Sequence, residues 1–191
     1  MRVDVHRLFV IDGSKALRKA IKGIFTKWAH IQRCQVHKMR NVLDHLPEAK
    51  RPWVKKKLQE AWALDDPEKA KRALERLARM LDQQHPSAAA SIVEGLDETL
   101  TVIHLGVRGP LRRVIRSTNP IENLQGSIKY VSKNVRRWRS GSMALRWTVT
   151  ALMEAEPRFR RVRGFRSLPA LINAMETPLF DPMLDLSSEV A

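Results

Sequence analysis

The chain of 191 residues has a single cysteine, Cys34. No intramolecular disulfide can form, so the fold must rest on packing and hydrogen bonds. No apolar stretch approaches the roughly 20 residues that cross a bilayer. The N-terminal run Met1-Arg2-Val3-Asp4-Val5-His6-Arg7 lacks the apolar core of a secretory signal. These absences predict a reducing, cytoplasmic home. Neither a P-loop nor G-x-G-x-x-G occurs, and no motif supports a Ser/His/Asp or Cys/His nucleophile. Cys34 and His37 form a C-x-x-H pair, but a structural zinc needs further ligands, and the chain has no second Cys and no paired His. Internal repeats and low-complexity segments are absent as well.

Acidic residues are scarce. Thirty-five Lys and Arg against 20 Asp and Glu give a net charge of +15. Such a surplus suggests a polyanion partner, most simply DNA or RNA. The charge is also uneven. Residues 1–60 hold 15 basic and 5 acidic residues (net +10), and residues 61–105 hold 5 and 8 (net −3). Residues 106–166 hold 15 and 3 (net +12), and residues 167–191 hold 0 and 4 (net −4). Two basic blocks therefore flank a near-neutral middle.

Apolar periodicity gives the organisation. Leu8 to Ile11 reads as a buried strand that ends at Asp12-Gly13. Ser14 can cap a helix with Leu17, Ala20, Ile21, Ile24, Phe25 and Trp28 at helical spacing. A second strand is predicted over 29–36, then a helix from near His37 to before Pro47. Strand, helix, strand favours a parallel crossover. From 47 to about 103 the pattern is helical: one helix through Trp53 to Trp62, one after Asp66-Pro67, one from Pro86 to Leu100. A basic connector over 106–118 leads to a helix from Pro120 to about Arg137, with an apolar stripe of Ile121, Leu124, Ile128, Val131 and Val135. Glu122, Lys129, Lys133 and Arg136 fall on another face of it. The next helix contains Ala144, Trp147 and Ala151 and stops before Pro157; a short last one contains Leu168 to Met175.

Two carboxylates stand out, one in each basic block. Asp12 lies where a strand ends, a common place for sites in open α/β sheets. Asp-Gly is also a plain turn pair, and an Asp before a helix can simply cap it. Glu122 follows Asn119 and Pro120. With Asn119 as N-cap it occupies the third helical position, the capping-box place for Glu. A carboxylate pair within a positive surface is equally what metal-dependent chemistry on nucleic-acid phosphates requires. Arg136-Arg137-Trp138-Arg139 interleaves cations with an aromatic. It can grip a backbone and stack on a base, or it can be a solvated helix end with Trp138 in the core.

Three blocks carry a resemblance. They are Val10-Ile11-Asp12-Gly13-Ser14-Lys15-Ala16-Leu17; Gln32-Arg33-Cys34-Gln35-Val36-His37-Lys38-Met39-Arg40-Asn41-Val42; and Ser117-Thr118-Asn119-Pro120-Ile121-Glu122-Asn123. With Val135-Arg136-Arg137-Trp138-Arg139 and Ala144-Leu145-Arg146-Trp147, in this order, the sequence closely resembles the mutator-type transposases of bacterial insertion sequences over residues 5–175. The resemblance implies an α/β, mostly helical fold: a partial ribonuclease-H-like core interrupted by an all-α insertion. It implies four segments. Residues 1–46 are the partial core, 47–105 the insertion, 106–176 the C-terminal core helices with the Glu and a basic face, and 177–191 a frayed acidic tail.

The resemblance further implies an Asp-Asp-Glu triad with two Mg²⁺ ions. Asp12 matches its second Asp, Glu122 its Glu, and Cys34 and His37 the Cys-x-x-His signature, with Asn119 in the third block. Lys129 fits the basic position after the Glu. Lys133, Arg136, Arg137, Trp138 and Arg139 are the implied DNA contacts. The implied partners are element ends and target DNA, with homo-oligomers of the intact enzyme. The family's first Asp precedes the Asp12 strand, and Asp4 does not match it. The expectation is a C-terminal, truncated form that binds DNA without cutting it. The alternative is a non-enzymatic basic helical module that binds nucleic acid and uses Asp12 and Glu122 only as caps.

Overall fold

A computed structural model describes residues 2–177. The acidic segment after Thr177 lies outside the described residues. Strand β1 (Arg7–Ile11) leads through Asp12-Gly13 into α1 (Lys15–Phe25) and back to β2 (Ala29–Arg33). The strands pair in parallel, from Arg7 opposite Ala29 to Ile11 opposite Arg33. Parallel pairing is what a strand–helix–strand crossover provides. Ser14 caps α1, its Oγ accepting from the Leu17 N–H at 3.3 Å.

Helix α2 (Gln35–Asp44) follows, then four helices: α3 (Arg51–Ala63), α4 (Pro67–Asp82), α5 (Pro86–Val93) and α6 (Leu96–His104). Asp66 caps α4 through a 3.0 Å bond from the Lys69 N–H, with Pro67 next, as the sequence suggested. The single helix expected after Pro86 is two. Gly95 adopts a left-handed conformation (φ 64°) between them. Within the connector a short α7 (Gly109–Ile115) forms, followed by α8 (Asn119–Val131), α9 (Gly141–Ala155) and α10 (Leu168–Glu176). None of the described helices is long and apolar enough to cross a membrane.

The main core runs through α2 to α7 and takes in Leu171 and Met175 of α10. Val42, Val54, Leu58, Leu74, Leu100, Val102 and Leu111 are among its most enclosed members. A second, small cluster lies under the strands: Ile11, Ile21, Phe25 and Ile31. Only Ile11 is buried along β1, so the expectation of a buried first strand holds for its last residue alone. On α1, Leu17 and Ile24 of the expected apolar stripe are exposed at 46% and 60%.

β2 ends three residues before expectation, at Arg33, and the reason is chemical. Its last residues are polar and serve α6 rather than further pairing. Buried Gln32 donates to the Thr99 carbonyl at 3.0 Å and accepts from the Val102 N–H at 2.9 Å. Gln35 donates to the same Thr99 carbonyl at 2.9 Å, and Thr101 Oγ1 donates to the Ile31 carbonyl at 2.6 Å. Side-chain networks of this kind favour one arrangement, because a buried amide left unpaired costs about 1–3 kcal/mol; Gln35 Oε1 is buried without a partner among the described residues.

Candidate active site and nucleic-acid face

Asp12 sits at the end of β1, exposed, in front of the α1 N-terminus. Its Oδ1 accepts from the Ser14 N–H at 3.0 Å. That bond closes a tight turn, and Ser14 supplies the helix cap. Asp12 is therefore not the cap residue itself. Gly13 is required beside it. Its φ is +109°, and a Cβ there would meet the Arg33 guanidinium at 2.7–2.9 Å.

Arg33 thus lies directly behind the Asp12 turn, only 6% exposed. It donates to the Glu94 carbonyl at 3.1 Å and to the Glu94 carboxylate at 2.9 Å. Buried Lys38 shares that carboxylate at 3.3 Å and also donates to the Ser91 carbonyl. Two buried cations on one carboxylate make a positive underside to the turn. Burial, together with the charge of Arg33, lowers the Lys38 pKa to about 8. Arg33 holds Glu94 below the usual carboxylate range. Sequence reasoning missed both cations. The signal was a polar Gln32-Arg33 pair where a buried strand should be apolar.

Cys34 is the joint between the three sequence blocks. It is completely buried. Its N–H donates to the Ile11 carbonyl at 2.7 Å, next to Asp12. Its Sγ accepts from the Thr118 N–H at 3.4 Å and lies 3.3 Å from His37 Nδ1. The Gln35 N–H donates to the Arg116 carbonyl at 3.0 Å, which fastens the approach to α8 onto α2.

Thr118 completes the link to Glu122. Its hydroxyl donates to the Glu122 carboxylate, with His37 Nδ1 at 3.3 Å from the same oxygen. A hydroxyl has one proton, and the carboxylate is its strongest acceptor here. The Thr118 oxygen then accepts from His37 when Nδ1 carries the hydrogen. His37 Nδ1 is 3.7 Å from Glu122 Oε1. The N-cap of α8 is Thr118 rather than the expected Asn119, with no side-chain cap bond. The Glu122 N–H makes the first helical bond to the Thr118 carbonyl at 3.1 Å. A capping box is not what Glu122 forms: its carboxylate is engaged by a hydroxyl and stands beside an imidazole. Thr118 is the linking residue that the sequence left unassigned.

Cys34, His37 and Glu122 therefore meet around Thr118, whereas Asp12 is tied to them through the backbone bond from Cys34 to Ile11, and no hydrogen bond joins Asp12 to Glu122 among the described residues. Each of the two carboxylates keeps one oxygen without a protein partner there. Hard carboxylate oxygens suit Mg²⁺, which is often held by one or two carboxylates and substrate phosphates. Their donor chemistry fits. They do not complete a site by themselves, since no group of three or more His, Cys, Asp or Glu able to hold a metal forms among the described residues.

The basic face differs from expectation. Helix α8 ends at Val131, so Lys133, Arg136, Arg137 and Arg139 lie beyond it and do not continue the Glu122 face. Ser132 Oγ turns back to the Ile128 carbonyl at 2.8 Å, and the backbone closes a turn from Val135 to Ser132 at 2.9 Å. Ser and Asn compete with helical bonds, and successive cations four residues apart repel. Both effects stop the helix here. Lys129, Lys133, Arg136, Arg137 and Arg139 are exposed. Lys133 Nζ rests 4.4 Å from the Tyr130 ring centroid. Trp138 is 47% exposed, so it is not a core residue. No residue of α8 is buried; its stripe is only partly covered, by α9.

The family described as "Transposase, Mutator family" matches residues 3–162. The chain is 30% identical to the transposase for insertion sequence element IST2 of Acidithiobacillus ferrooxidans, over 80% of the chain and 50% of that protein. It is 28% identical to the transposase for insertion sequence element IS6120 of Mycolicibacterium smegmatis, over 87% of the chain and 50% of that protein. It is also 28% identical to the transposase for insertion sequence element IS256 in transposon Tn4001 of Staphylococcus aureus, over 77% and 37%. The chain thus spans about half the length of the curated relatives it matches, or less. No solved structure matches it.

Proposed function

The chain belongs to the Mutator family of transposases, and from that premise we propose that it carries the second Asp and the Glu of an Asp-Asp-Glu centre for DNA strand cleavage and transfer. Asp12 and Glu122 are the metal-binding carboxylates of this reading. The observation that carries it is the Cys34 joint, which ties the Asp12 strand end to the Glu122 helix start through Thr118. The parallel β1-α1-β2 unit supports a partial ribonuclease-H-like core.

When bound, Mg²⁺ would supply an activated water or 3′-hydroxyl and relieve charge on the leaving oxygen. The chain's own residues do the rest. Asp12 presents its free oxygen from a turn fixed by Ser14 and by the Arg33 side chain behind Gly13. Glu122 is oriented by the Thr118 hydroxyl. The α1 and α8 N-termini add partial positive charge near both carboxylates. Lys129, Lys133, Arg136, Arg137 and Arg139 hold phosphates, and Trp138 stacks on an unpaired base. The DNA is an element end and a target; the working enzyme is a homo-oligomer in the cytoplasm.

With two carboxylates of a triad, this chain alone binds DNA without cutting it. Cleavage by the purified chain in Mg²⁺ that vanishes in Asp12→Ala would refute this. In a full-length protein containing this sequence, Glu122→Gln is expected to lower strand cleavage at least about 100-fold, with DNA binding kept. Unchanged cleavage would remove Glu122 from the metal centre and leave it a helix-start carboxylate.

A further inference from the structure

The basic surface has a second part, at the other end of α9. Five arginines follow that helix within nine residues: Arg158, Arg160, Arg161, Arg163 and Arg166. All are exposed. No carboxylate occurs between Pro157 and Met175. Among the described residues, the one ion pair these arginines make is Arg158 to Glu154 at 3.8 Å, both largely solvated. Arg160, Arg163 and Arg166 make no hydrogen bond, ion pair or ring contact among the described residues, and Arg161 lies 5.1 Å from the Phe165 ring centroid. Phe159 is 59% exposed among them.

This segment is held, not loose. Gly164 (φ +80°) lies so close to α7 that a Cβ would stand 2.5 Å from the Leu111 backbone nitrogen. Short turns flank it at 156–158 and 165–167, and α10 follows at once. The arginines thus flank a turn packed against α7. Unpaired, mutually repelling cations beside an exposed aromatic are what a phosphate backbone neutralises.

The spacing sets the ligand. Arg136, Arg137 and Arg139 precede α9 and the second cluster follows it. Fifteen helical residues separate them by about 22 Å at ~1.5 Å per residue. That is about six base pairs of duplex, at roughly 3.4 Å each. We propose that the loop from Arg158 to Arg166 is a second phosphate-binding site, and that α9 spaces it from Arg136–Arg139 so that one DNA duplex is held at both. This rests on the reading of the Arg136–Arg139 cluster as a DNA contact.

The test uses fluorescence anisotropy of this chain with hairpin duplexes of 5 and 12 base pairs, across a salt series. Wild type should bind the longer stem distinctly better. In Arg160→Ala/Arg161→Ala/Arg163→Ala that length advantage should vanish, and the salt slope should fall by about 2–3. The triple Lys variant should keep both, which guards against a folding artefact. An unchanged slope and length dependence in the Ala variant, with Arg136→Ala/Arg137→Ala/Arg139→Ala defective, would overturn the second site alone. Tighter binding to single strands than to duplex would overturn it too. No wild-type binding at all would overturn both this site and the DNA contacts proposed above.

Discussion

Helices α3 and α4, of 13 and 16 residues, match α8 and α9, of 13 and 15, in length, yet the block α3 to α6 and the pair α8–α9 are unlike in construction. Every helix of the first group has at least three buried residues, and Val54, Leu100 and Val102 are fully enclosed. In the second, α8 has none and α9 only Ala151 and Ala155. Leu145, Val149 and Met153, four residues apart on α9, are exposed at 64%, 44% and 66%. The proposed metal-binding Glu122 and the exposed cations sit with the less buried group. Glu122 and the basic face are positioned by polar links at Cys34, Thr118 and Arg116 more than by hydrophobic burial. The difference teaches that the helical block provides stability, while the site depends on a few hydrogen bonds.

Paired substitutions test that contrast. Leu100→Ala should cost about 2–5 kcal/mol, as a fully enclosed leucine leaves a cavity. Leu145→Ala should cost less than about 0.5 kcal/mol. Urea denaturation measures both, and equal costs would break the comparison. Glu94→Gln should cost about 2 kcal/mol, since Arg33 and Lys38 lose their shared carboxylate, itself partly solvated. The loss should be smaller in a Lys38→Met background.

Lys38 gives the strand side a pH signature. Its folded pKa of about 8 lies below its ordinary 10.5. Between these values the unfolded chain binds more protons, so stability rises with pH there and is lost as pH falls from 10.5 toward 8, by at most about 1.4 kcal/mol per pH unit. Lys38→Met should flatten that rise in thermal melts at pH 8 to 10. Thr118→Val should cost only about 1 kcal/mol of stability. In a full-length protein it should still reduce strand cleavage severalfold, with Thr118→Ser restoring it. Activity unaffected by Thr118→Val would show that Glu122 needs no such support.

Most elements were legible because their signals are local. Ser14 and Asp66-Pro67 mark helix starts, and apolar spacing marks α3, α4 and α9. The failures are tertiary. The polar end of β2 makes sense only with α6 against it, where Gln32 meets Thr99 and Val102. The end of α8 at Val131 overrode an apolar stripe that continues to Val135, because cations and Ser132 oppose a longer helix. Gly95 divided one apolar pattern into α5 and α6. At the site, residue types were legible and their linkage was not. Asp12, Cys34, His37 and Glu122 stand out by chemistry and motif. Thr118 is an unremarkable threonine until Cys34, 84 residues away, is placed under it.

On the proposed reading, Asp12 and Glu122 serve one metal centre. Paramagnetic broadening by Mn²⁺ in amide NMR spectra of this chain, with a short duplex present, tests it directly. The expected result is joint broadening at Asp12-Gly13 and Glu122-Asn123, with both sets lost in either Asp12→Asn or Glu122→Gln. Broadening at one segment alone, or loss of only the substituted segment's signal change, would contradict it.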